Sequence, residues 1–434
     1  MKVFNWTELN EKQRVSALAR PAAITNGALV TSVKDIMANV KTRGNAALRS
    51  YTSKFDGVKV ASLTVKPDLM KAAWDTLPAD QKRALKTAKA NIEAFHEAQT
   101  PSTIEVETMP GVVCRRIPRS IETVGLYVPG GTAPLVSTLL MLAIPAKIAG
   151  CQRRVVITPP GKDGQVNQAV LAAAFLCDVT DLFISGGAQA IAALAYGTET
   201  IPKCDKIFGP GNAYVAMAKS LVSQEPGGPA IDLPAGPSEA MVVADKSSNP
   251  VFVAADLLSQ AEHDTMAQVI CVVDNADTAT SILSEIDKQI TTLPRKKIAE
   301  KSIASSRIFI ADTQASMTDV INSYAPEHLI IQAANADNWV DGVKSAGSIF
   351  LGPWTPESVG DYASGTNHTL PTSGAAKAYS GVTLESYFTF ISVQKLTQQG
   401  LRDLGPTVET LANMEGLEAH RRAVSLRLES NQDA

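Results

Sequence analysis

The sequence predicts an α/β protein with two parallel sheets. Short β-branched runs alternate with helical segments in two successive stretches of the chain, which is typical of βαβ units. Residues 1–100 and the tail at 395–430 have helical patterns instead, with Val33, Ile36 and Val40 at helical spacing. We therefore expect two doubly wound sheets with helical segments at both ends of the chain.

The two alternating stretches are of similar size. The strand candidates are 124–128, 155–158, 182–184, 206–208, 240–243, 269–273, 306–310 and 348–351. The predicted helices begin near Leu135, Gly164, Gln189 and Asn212 in the first stretch and span 250–263, 276–290 and 313–324 in the second. Seven of the eight predicted strands are therefore followed by a predicted helix, as is typical of a parallel sheet.

The composition indicates a folded, weakly acidic protein. The chain has 434 residues, of which 45% are hydrophobic and 19% charged, and its formal net charge is −3. Such a chain can bury a core and is not expected to be disordered. Nucleic-acid and anionic-membrane partners are not expected, because both usually require a basic patch.

Targeting and redox signals favour a cytoplasmic protein. The N-terminus lacks an apolar signal segment, and the apolar run at 139–144 is far shorter than the ~20 residues that span a bilayer. The five cysteines have no CxxC spacing, which suits reduced thiols. They are Cys114, Cys151, Cys177, Cys204 and Cys271.

Four of the five histidines lie in short clusters with acidic or amide residues, and only His96 lies outside them. Neutral imidazole is the commonest metal ligand, and histidine titrates near neutral pH. The clusters together predict a metal site and a proton-transfer site. They are Gln260-Ala-Glu-His263, Pro326-Glu327-His328, Asp361-Tyr-Ala-Ser-Gly-Thr-Asn-His368, and Glu415 with His420.

Each cluster also has a plainer interpretation. Gln260 and His263 are one turn apart on a helix predicted to begin at Asn249 and Pro250, so they are either converging ligands or part of a solvated polar face. Glutamine is a rare zinc ligand. Residues Glu327–His328 lie at an element boundary, where they suit either an acid–base pair or a solvated pair at the mouth of a strand.

The remaining two clusters are equally open when taken alone. Residues 360–368 are rich in turn formers and are not expected to form a regular element. Such a loop can supply Asp361 as a ligand and His368 as a substrate contact, or it is an ordinary polar loop. Glu415 and His420 are not spaced to share one helical face.

Three glycine-rich turns follow predicted strands. Free N–H groups and a helix N-terminus make such turns suitable for a phosphate, and glycine permits close approach. None of them matches the dinucleotide fingerprint, so nucleotide binding and ordinary βα turns both remain open. The turns are Tyr127-Val-Pro-Gly-Gly-Thr132, Ser185-Gly-Gly-Ala-Gln189 and Phe208-Gly-Pro-Gly-Asn212.

Together these motifs resemble the histidinol dehydrogenases, essentially from end to end. The series of motifs occurs in the same order and departs at no motif position. The stretches are Val124-Gly-Leu-Tyr-Val-Pro-Gly-Gly-Thr-Ala-Pro-Leu135, Gly186-Gly-Ala-Gln-Ala-Ile-Ala-Ala-Leu-Ala195, Lys206-Ile-Phe-Gly-Pro-Gly-Asn212, Asp232-Leu-Pro-Ala-Gly-Pro-Ser-Glu239, Leu257-Leu-Ser-Gln-Ala-Glu-His263, Tyr324-Ala-Pro-Glu-His-Leu329 and Gly360-Asp-Tyr-Ala-Ser-Gly-Thr-Asn-His368.

The resemblance implies a zinc enzyme that oxidises L-histidinol to L-histidine through the aldehyde, with two NAD+ per turnover. It makes Glu327 and His328 the acid–base pair. It implies one zinc per subunit on Gln260, His263, Asp361 and His420. The substrate contacts implied are Ser238, Gln260, His263, His328, Asp361, Glu415, His420 and His368. The NAD contacts implied are Tyr127, Gln189 and Asn212.

The resemblance also implies an architecture of two incomplete Rossmann-like domains in an intertwined homodimer with shared active sites. The C-terminal tail of one subunit would complete the site of the other. The domains expected are an N-terminal helical arm at 1–25, an α/β domain with the metal and acid–base residues at 26–125 and 239–380, a Rossmann-like domain with the NAD contacts at 126–238, and the tail at 381–434.

Three other functions fit some of the same residues. A dehydrogenase of another amino or sulfonated alcohol differs only in its pocket, since one fold can serve several substrates. A zinc hydrolase would use the same ligands with Glu327 as the water activator, but it leaves the glycine-rich turns unexplained. In a non-catalytic binding protein, the acid–histidine clusters would be polar surface groups without a chemical role.

Overall fold

The computed structural model describes residues 1–21, 27–130, 134–234 and 236–430. Parts of four sequence predictions lie outside the described residues: the end of the N-terminal arm, the end of the first glycine-rich turn, Ala235 in the Asp232–Glu239 motif, and the end of the C-terminal tail. In the part of the chain that is described, no helix is both long enough and apolar enough to cross a membrane.

The described residues form the following elements. The strands are β1 (Lys2–Asn5), β2 (Ile104–Met109), β3 (Val112–Ser120), β4 (Thr123–Tyr127), β5 (Arg153–Thr158), β6 (Asp181–Ile184), β7 (Lys206–Phe208), β8 (Ala230–Ile231), β9 (Glu239–Ala244), β10 (Gln268–Val273), β11 (Arg307–Ile310), β12 (His328–Ile331), β13 (Ser348–Leu351) and β14 (Phe388–Leu396). The helices are α1 (Glu11–Ala17), α2 (Gly27–Phe55), α3 (Pro67–Thr76), α4 (Ala79–Glu97), α5 (Val136–Ile148), α6 (Gln168–Leu176), α7 (Gly187–Tyr196), α8 (Ala213–Gln224), α9 (Pro250–Ala261), α10 (Ala276–Gln289), α11 (Lys296–Ser305), α12 (Gln314–Tyr324), α13 (Glu357–Tyr362), α14 (Gln398–Met414) and α15 (Glu418–Glu429).

The chain divides into two compact units. The larger unit comprises Met1–Gln99 with Ile121–Tyr387, and the smaller unit comprises Thr100–Ser120 with Phe388–Ala434. Both parallel sheets belong to the larger unit. The domain boundaries expected from the resemblance stay a prediction.

The first sheet contains five parallel strands in the order β6-β5-β4-β7-β8. Numbered from its first strand, this is the 3-2-1-4-5 order of a doubly wound sheet. The strand order reverses between β4 and β7, and ligands of such sheets usually bind where this happens, at the carboxyl ends of the strands. The central strands are fully buried, with Val124, Leu126 and Val155 at zero exposure, because helices cover both faces.

The second sheet contains six parallel strands in the order β1-β11-β10-β9-β12-β13. Strands β9 to β13 repeat the 3-2-1-4-5 order of the first sheet. β1 extends the edge, with Lys2 opposite Arg307. The predicted fold class, two Rossmann-like doubly wound sheets, is confirmed.

Helix α9 positions part of the site. It begins as predicted, because Asn249 caps the backbone N–H of Val251 and Pro250 is the first helical residue. Gln260 does not lie on a solvated polar face, however: it is 1% exposed, whereas the apolar Val251 is 44% exposed. The polar side chains can face inward because each has a partner. The Asp256 carboxylate, for example, accepts a hydrogen bond from the Gln332 amide.

The smaller unit contains an antiparallel sheet in the order β14-β3-β2, followed by α14 and α15. The two helices confirm the helical pattern of the tail. Sequence pattern did not predict the three strands. Most side chains of β2 and β14 are exposed, so no buried face imposes the alternation of apolar and polar residues by which a strand is recognised.

Candidate active site at the amino edge of the second sheet

Three elements of the larger unit converge at the amino ends of the strands of the second sheet. His328 is the first residue of β12 and lies opposite Ala240 of β9. Gln260 lies near the carboxyl end of α9, and α13 carries Glu357 and Asp361. Helices that connect parallel strands run back across the sheet, so the end of α9 comes to the edge where β12 begins.

A compact group of potential metal ligands lies at this edge. Among the described residues, a nitrogen of His328 and oxygens of Glu357 and Asp361 lie within 4.8 Å of one another. The Nε2 atom of His328 is 3.2 Å from Oδ1 of Asp361. The amide nitrogen of Gln260 donates to Oε1 of Glu357 at 2.5 Å, and the Ser259 hydroxyl donates to its Oε2 at 2.6 Å.

Gln260 fits a role as a metal ligand. Its Oε1 atom is buried and has no hydrogen-bond partner among the described residues, whereas its amide nitrogen is occupied by Glu357. A buried carbonyl oxygen without a partner is unusual, and a bound metal ion would satisfy it. The nearby Asp361 carboxylate and imidazole nitrogens are donors that zinc accepts. The residues present therefore fit the zinc implied by the resemblance.

The structure does not bring all four predicted zinc ligands together. His263 lies just beyond the end of α9, where its side chain is exposed and outside the compact group. His420 is an exposed residue of α15 in the smaller unit, and Glu415 caps the end of α14 in the same unit. The assignments of His263, His420 and Glu415 stay predictions.

The predicted acid–base pair is almost completely buried. Glu327 and His328 are 7% and 3% exposed. Oε2 of Glu327 accepts the backbone N–H of Glu239 at 2.8 Å, and Nδ1 of His328 lies 3.2 Å from the carbonyl oxygen of Glu239. Because a carbonyl only accepts hydrogen bonds, Nδ1 carries a proton, and Nε2 is the nitrogen left to exchange one.

The surroundings push the pKa values of neighbouring groups apart. Burial alone raises the pKa of Asp361, but the hydrogen bond and charge of His328 outweigh it and hold that pKa well below its usual range. Burial raises the pKa of Glu357 to about 8, and the charge of Asp361 adds to this effect. Burial lowers the pKa of His328, yet the charges of Glu327 and Asp361 bring it well above its ordinary value. Divergent values of this kind are typical of acid–base sites.

The loop after Asp361 differs in part from its prediction. Gly360 and Asp361 belong to α13, and only the residues after Tyr362 are irregular. His368 is held at both ring nitrogens: Nδ1 lies 2.8 Å from the Asp361 carbonyl and Nε2 lies 3.0 Å from the Thr138 hydroxyl. His368 therefore stabilises the backbone of Asp361, and its predicted contact with substrate stays a prediction.

The glycine-rich turns lie at the carboxyl ends of β4, β6 and β7 in the first sheet. The Tyr127 hydroxyl accepts the N–H of Gly187 at 3.2 Å and so joins two of the turns. Gly209 has a φ of +120°, and a Cβ there would lie 2.1 Å from the Tyr127 carbonyl oxygen, so only glycine fits. Asn212 caps α8, and Gln189 is buried in α7.

Comparison with known proteins decides the family. A family model of histidinol dehydrogenase matches residues 19–428. The chain belongs to the histidinol dehydrogenase family. The histidinol dehydrogenase of Vibrio cholerae is 50% identical over 435 residues and covers 100% of both chains. That of Colwellia psychrerythraea is 48% identical over 428 residues, covering 99% of each.

Two further comparisons describe the extent of the likeness. The crystal structure of histidinol dehydrogenase from Elizabethkingia anophelis has a TM-score of 0.94 with this chain at 44% identity, and covers 99% of this chain and 98% of its own. A putative histidine biosynthesis bifunctional protein of Photorhabdus laumondii is 48% identical, and the chain spans 52% of its length. The fold of the histidinol dehydrogenase family therefore extends over the whole chain.

Sequence reasoning missed three residues that support the site in this histidinol dehydrogenase family member. They are Arg20, Glu239 and Glu357. Glu357 follows Pro356 at the start of a short helix, where an acidic residue is common, so nothing in its surroundings marks it. Arg20 and Glu239 are 219 positions apart, and only the fold pairs them.

Proposed function

We propose that this protein catalyses the four-electron oxidation of L-histidinol to L-histidine, the last step of histidine biosynthesis, with L-histidinaldehyde as the intermediate. Family membership supports this reaction class, and the relatives from Vibrio cholerae and Colwellia psychrerythraea are histidinol dehydrogenases. One observation carries the proposal. A group of side chains with little exposure lies close together, in which Gln260 is hydrogen-bonded to Glu357 and His328 to Asp361.

One zinc ion per subunit is proposed to be held by Gln260, His263, Asp361 and His420. When bound, zinc is redox-inert and would hold the imidazole and amine of the substrate by their nitrogens, a positioning role. The unpartnered oxygen of Gln260 and the low pKa of Asp361 support two of these ligands. Glu357 supports Gln260 by accepting its amide N–H, which fixes the oxygen on the opposite side.

The electrons require a separate acceptor, and we propose NAD+ at the carboxyl edge of the first sheet. When bound there, NAD+ would accept the hydride from the substrate carbon. The strand order reverses at this edge, and the turns that hold Tyr127, Gln189 and Asn212 lie on it, as expected of a dinucleotide site. At the N-terminus of α7 the N–H of Gly187 donates to the Tyr127 hydroxyl, and the N–H groups that follow in the first turn are available to a phosphate.

His328 is proposed as the base of the alcohol oxidation. Loss of hydride from a carbinol carbon requires loss of the hydroxyl proton, and imidazole is suited to take it. The Glu239 carbonyl keeps the proton on Nδ1, so Nε2, which lies 3.2 Å from Oδ1 of Asp361, is the nitrogen that would exchange a proton with the substrate. The side chain of His328 is buried, which limits the access of bulk solvent to the aldehyde held for the second step.

Glu327 is proposed as the group that activates water in the aldehyde oxidation. Burial raises its pKa above the ordinary value, although the charge of His328 opposes this, and a raised pKa makes a carboxylate a better base. Its Oε2 is 3.6 Å from Nδ1 of His328, so the two groups form an ion pair when His328 is protonated. Adjacent positions in the chain let them serve the same substrate carbon in turn.

The remaining assignments complete the proposal. Ser238 lies directly before β9 at the same edge as His328 and is proposed to contact substrate with His368 and Glu415. A homodimer is proposed, in which His420 and Glu415 complete the partner's site. All five cysteines are free, which supports a reducing compartment, and we propose the cytoplasm.

A spectrophotometric assay of NADH tests this function. L-histidinol and NAD+ should give NADH, the rate should be lost after chelation, and zinc should restore it. Other amino alcohols and sulfonated alcohols serve as controls under the same conditions. NADH from one of these but not from histidinol would assign a different dehydrogenase, and metal-dependent turnover without NAD+ would indicate a hydrolase.

A further inference from the structure

Arg20 joins three segments of the larger unit near the site. It follows α1, and its side chain is 24% exposed. Its guanidinium forms a fork on Glu239, with Nε 2.5 Å from Oε1 and Nη2 2.9 Å from Oε2. Nη2 also lies 2.8 Å from the Tyr324 carbonyl oxygen and 3.4 Å from that of Ala325. The guanidinium also lies over the Tyr324 ring, with Cζ 3.9 Å from the ring centroid.

Arg20 is connected to Glu327 and His328 through Glu239, whose backbone contacts both residues. The Glu239 N–H donates to Glu327, and its carbonyl oxygen accepts from Nδ1 of His328. Its side chain is 4% exposed and is held by Arg20 and by the backbone N–H of Ser373 at 2.9 Å. Glu239 therefore touches both members of the pair, and Arg20 fixes Glu239.

Arg20 is also connected to this pair along the chain, through the carbonyl groups of Tyr324 and Ala325. Tyr324 ends α12, and its carbonyl has no partner within the helix. Ala325 has a φ of +54°, a conformation that alanine rarely adopts, and Pro326 follows it directly. By accepting from Arg20, the carbonyls of Tyr324 and Ala325 fix the short link that ends at Glu327.

We propose that Arg20 is a positioning residue for Glu327 and His328, acting through Glu239 and through the end of α12. This inference rests on the proposed roles of Glu327 and His328. Arg20 needs no contact with substrate, metal or NAD+ for this role. Its planar fork matters because it reaches a carboxylate and two carbonyls at once, which a single ammonium cannot do.

The test compares Arg20→Ala with Arg14→Ala. Arg14 belongs to the same N-terminal segment, but it contacts Asp319 at 3.3 Å and the Trp6 ring, away from Glu239. A misplaced catalytic pair slows proton transfer without loosening substrate, so we expect Arg20→Ala to lower kcat on the order of 100-fold, with little change in KM. Arg14→Ala should match the wild type, and Arg20→Lys should recover only part of the rate.

Two readouts separate positioning from general destabilisation. Guanidinium ion at millimolar concentration should restore part of the kcat of Arg20→Ala, and sodium at equal ionic strength should not. In ¹⁵N-histidine NMR, Arg20→Ala should shift the imidazole signals of His328 and leave those of His96 in place. The His328→Asn variant assigns the signals, which is practical in a chain with five histidines.

The proposal is overturned if Arg20→Ala keeps the wild-type kcat, or if its loss equals that of Arg14→Ala and guanidinium restores nothing. Unchanged His328 signals would overturn it as well. If the wild type itself does not oxidise histidinol, the proposed function fails. The NMR comparison still decides whether Arg20 positions His328.

Discussion

The amide nitrogen of Gln260 lies 2.5 Å from a carboxylate oxygen of Glu357, and the amide oxygen of Gln260 is left buried without a partner. Glutamine is a weak zinc ligand. The oxygen and the nitrogen of its amide group differ in chemistry but hardly in shape. When Glu357 is ionised, its hydrogen bond with Gln260 removes the ambiguity, because a carboxylate accepts only from the amide nitrogen. The oxygen is then available to the proposed metal ion.

Glu357→Gln should therefore weaken zinc binding. The new amide no longer distinguishes the two ends of Gln260, and loss of such a supporting partner typically costs a metal site 10-fold to 100-fold in affinity, so we expect roughly that range. Competition of the apoprotein with a chromophoric chelator measures it. Ser259→Ala is the control, since it removes the hydrogen bonds of the Ser259 hydroxyl to Glu357 and to the Asp256 carbonyl but leaves that between Gln260 and Glu357 in place. An unchanged zinc affinity in Glu357→Gln would reject this role.

His263→Asn and His420→Asn test the proposed shared site. Each variant alone should retain less zinc after dialysis and have little activity. When the two are unfolded together and refolded, a mixed dimer would contain one intact site, so random pairing should return about a quarter of wild-type activity. Each variant refolded alone is the control. Mixtures no more active than the parents would argue against sites completed by the partner subunit.

Lys219→Met should destabilise the larger unit. Nζ of Lys219 is 2.5 Å from Oδ1 of Asp232, and both side chains are buried. Both residues also bond the backbone of Gly209, in the turn after β7. Removing the cation leaves a buried carboxylate unpaired, so the free energy of unfolding should fall by about 3–5 kcal/mol in urea titration. Adding Asp232→Asn should recover part of this loss; a double variant as unstable as Lys219→Met would contradict the explanation.

His96 should make the protein sensitive to acid. Its side chain is fully buried, Nδ1 bonds the Ile92 carbonyl at 2.8 Å, and Nε2 has no partner among the described residues. Burial holds its pKa below the ordinary 6.5, against the opposing effect of the Ile92 hydrogen bond. As pH falls, the unfolded chain therefore takes up a proton at a higher pH than the folded protein does. The stability that His96 contributes above pH 6.5 is lost as pH falls from 6.5 through the lower pKa of the folded state. Between pH 7.5 and about 5, unfolding free energy should fall less in His96→Asn than in the wild type; parallel curves would show that His96 does not titrate in this way.

The sequence predicts the sheets better than it predicts the site. Buried parallel strands are continuous apolar runs, so β4, β5, β9 and β10 stand out, whereas the exposed β2 and β14 do not. Strand β1 is also missed, because its side chains are mostly exposed and only its pairing with β11 defines it.

Local pattern identifies reactive residues but not their supporting partners. The motifs around Gln260, His328 and Asp361 are distinctive in sequence, and the fold brings these three side chains together. Glu357 and Arg20 have no such mark, since their partners are distant in the chain. The site also lies at the amino edge of its sheet, and the usual rule for doubly wound sheets indicates the opposite edge.

The most direct test of the account is the amount of NADH formed per L-histidinol consumed, in wild type and in Glu327→Gln. The wild type should give two NADH per histidinol. Glu327→Gln should slow the aldehyde half-reaction far more than the alcohol half, so that added histidinaldehyde is oxidised slowly while the first NADH still forms. One NADH per histidinol in the wild type, or equal slowing of both halves in the variant, would contradict a four-electron oxidation in which Glu327 activates the water.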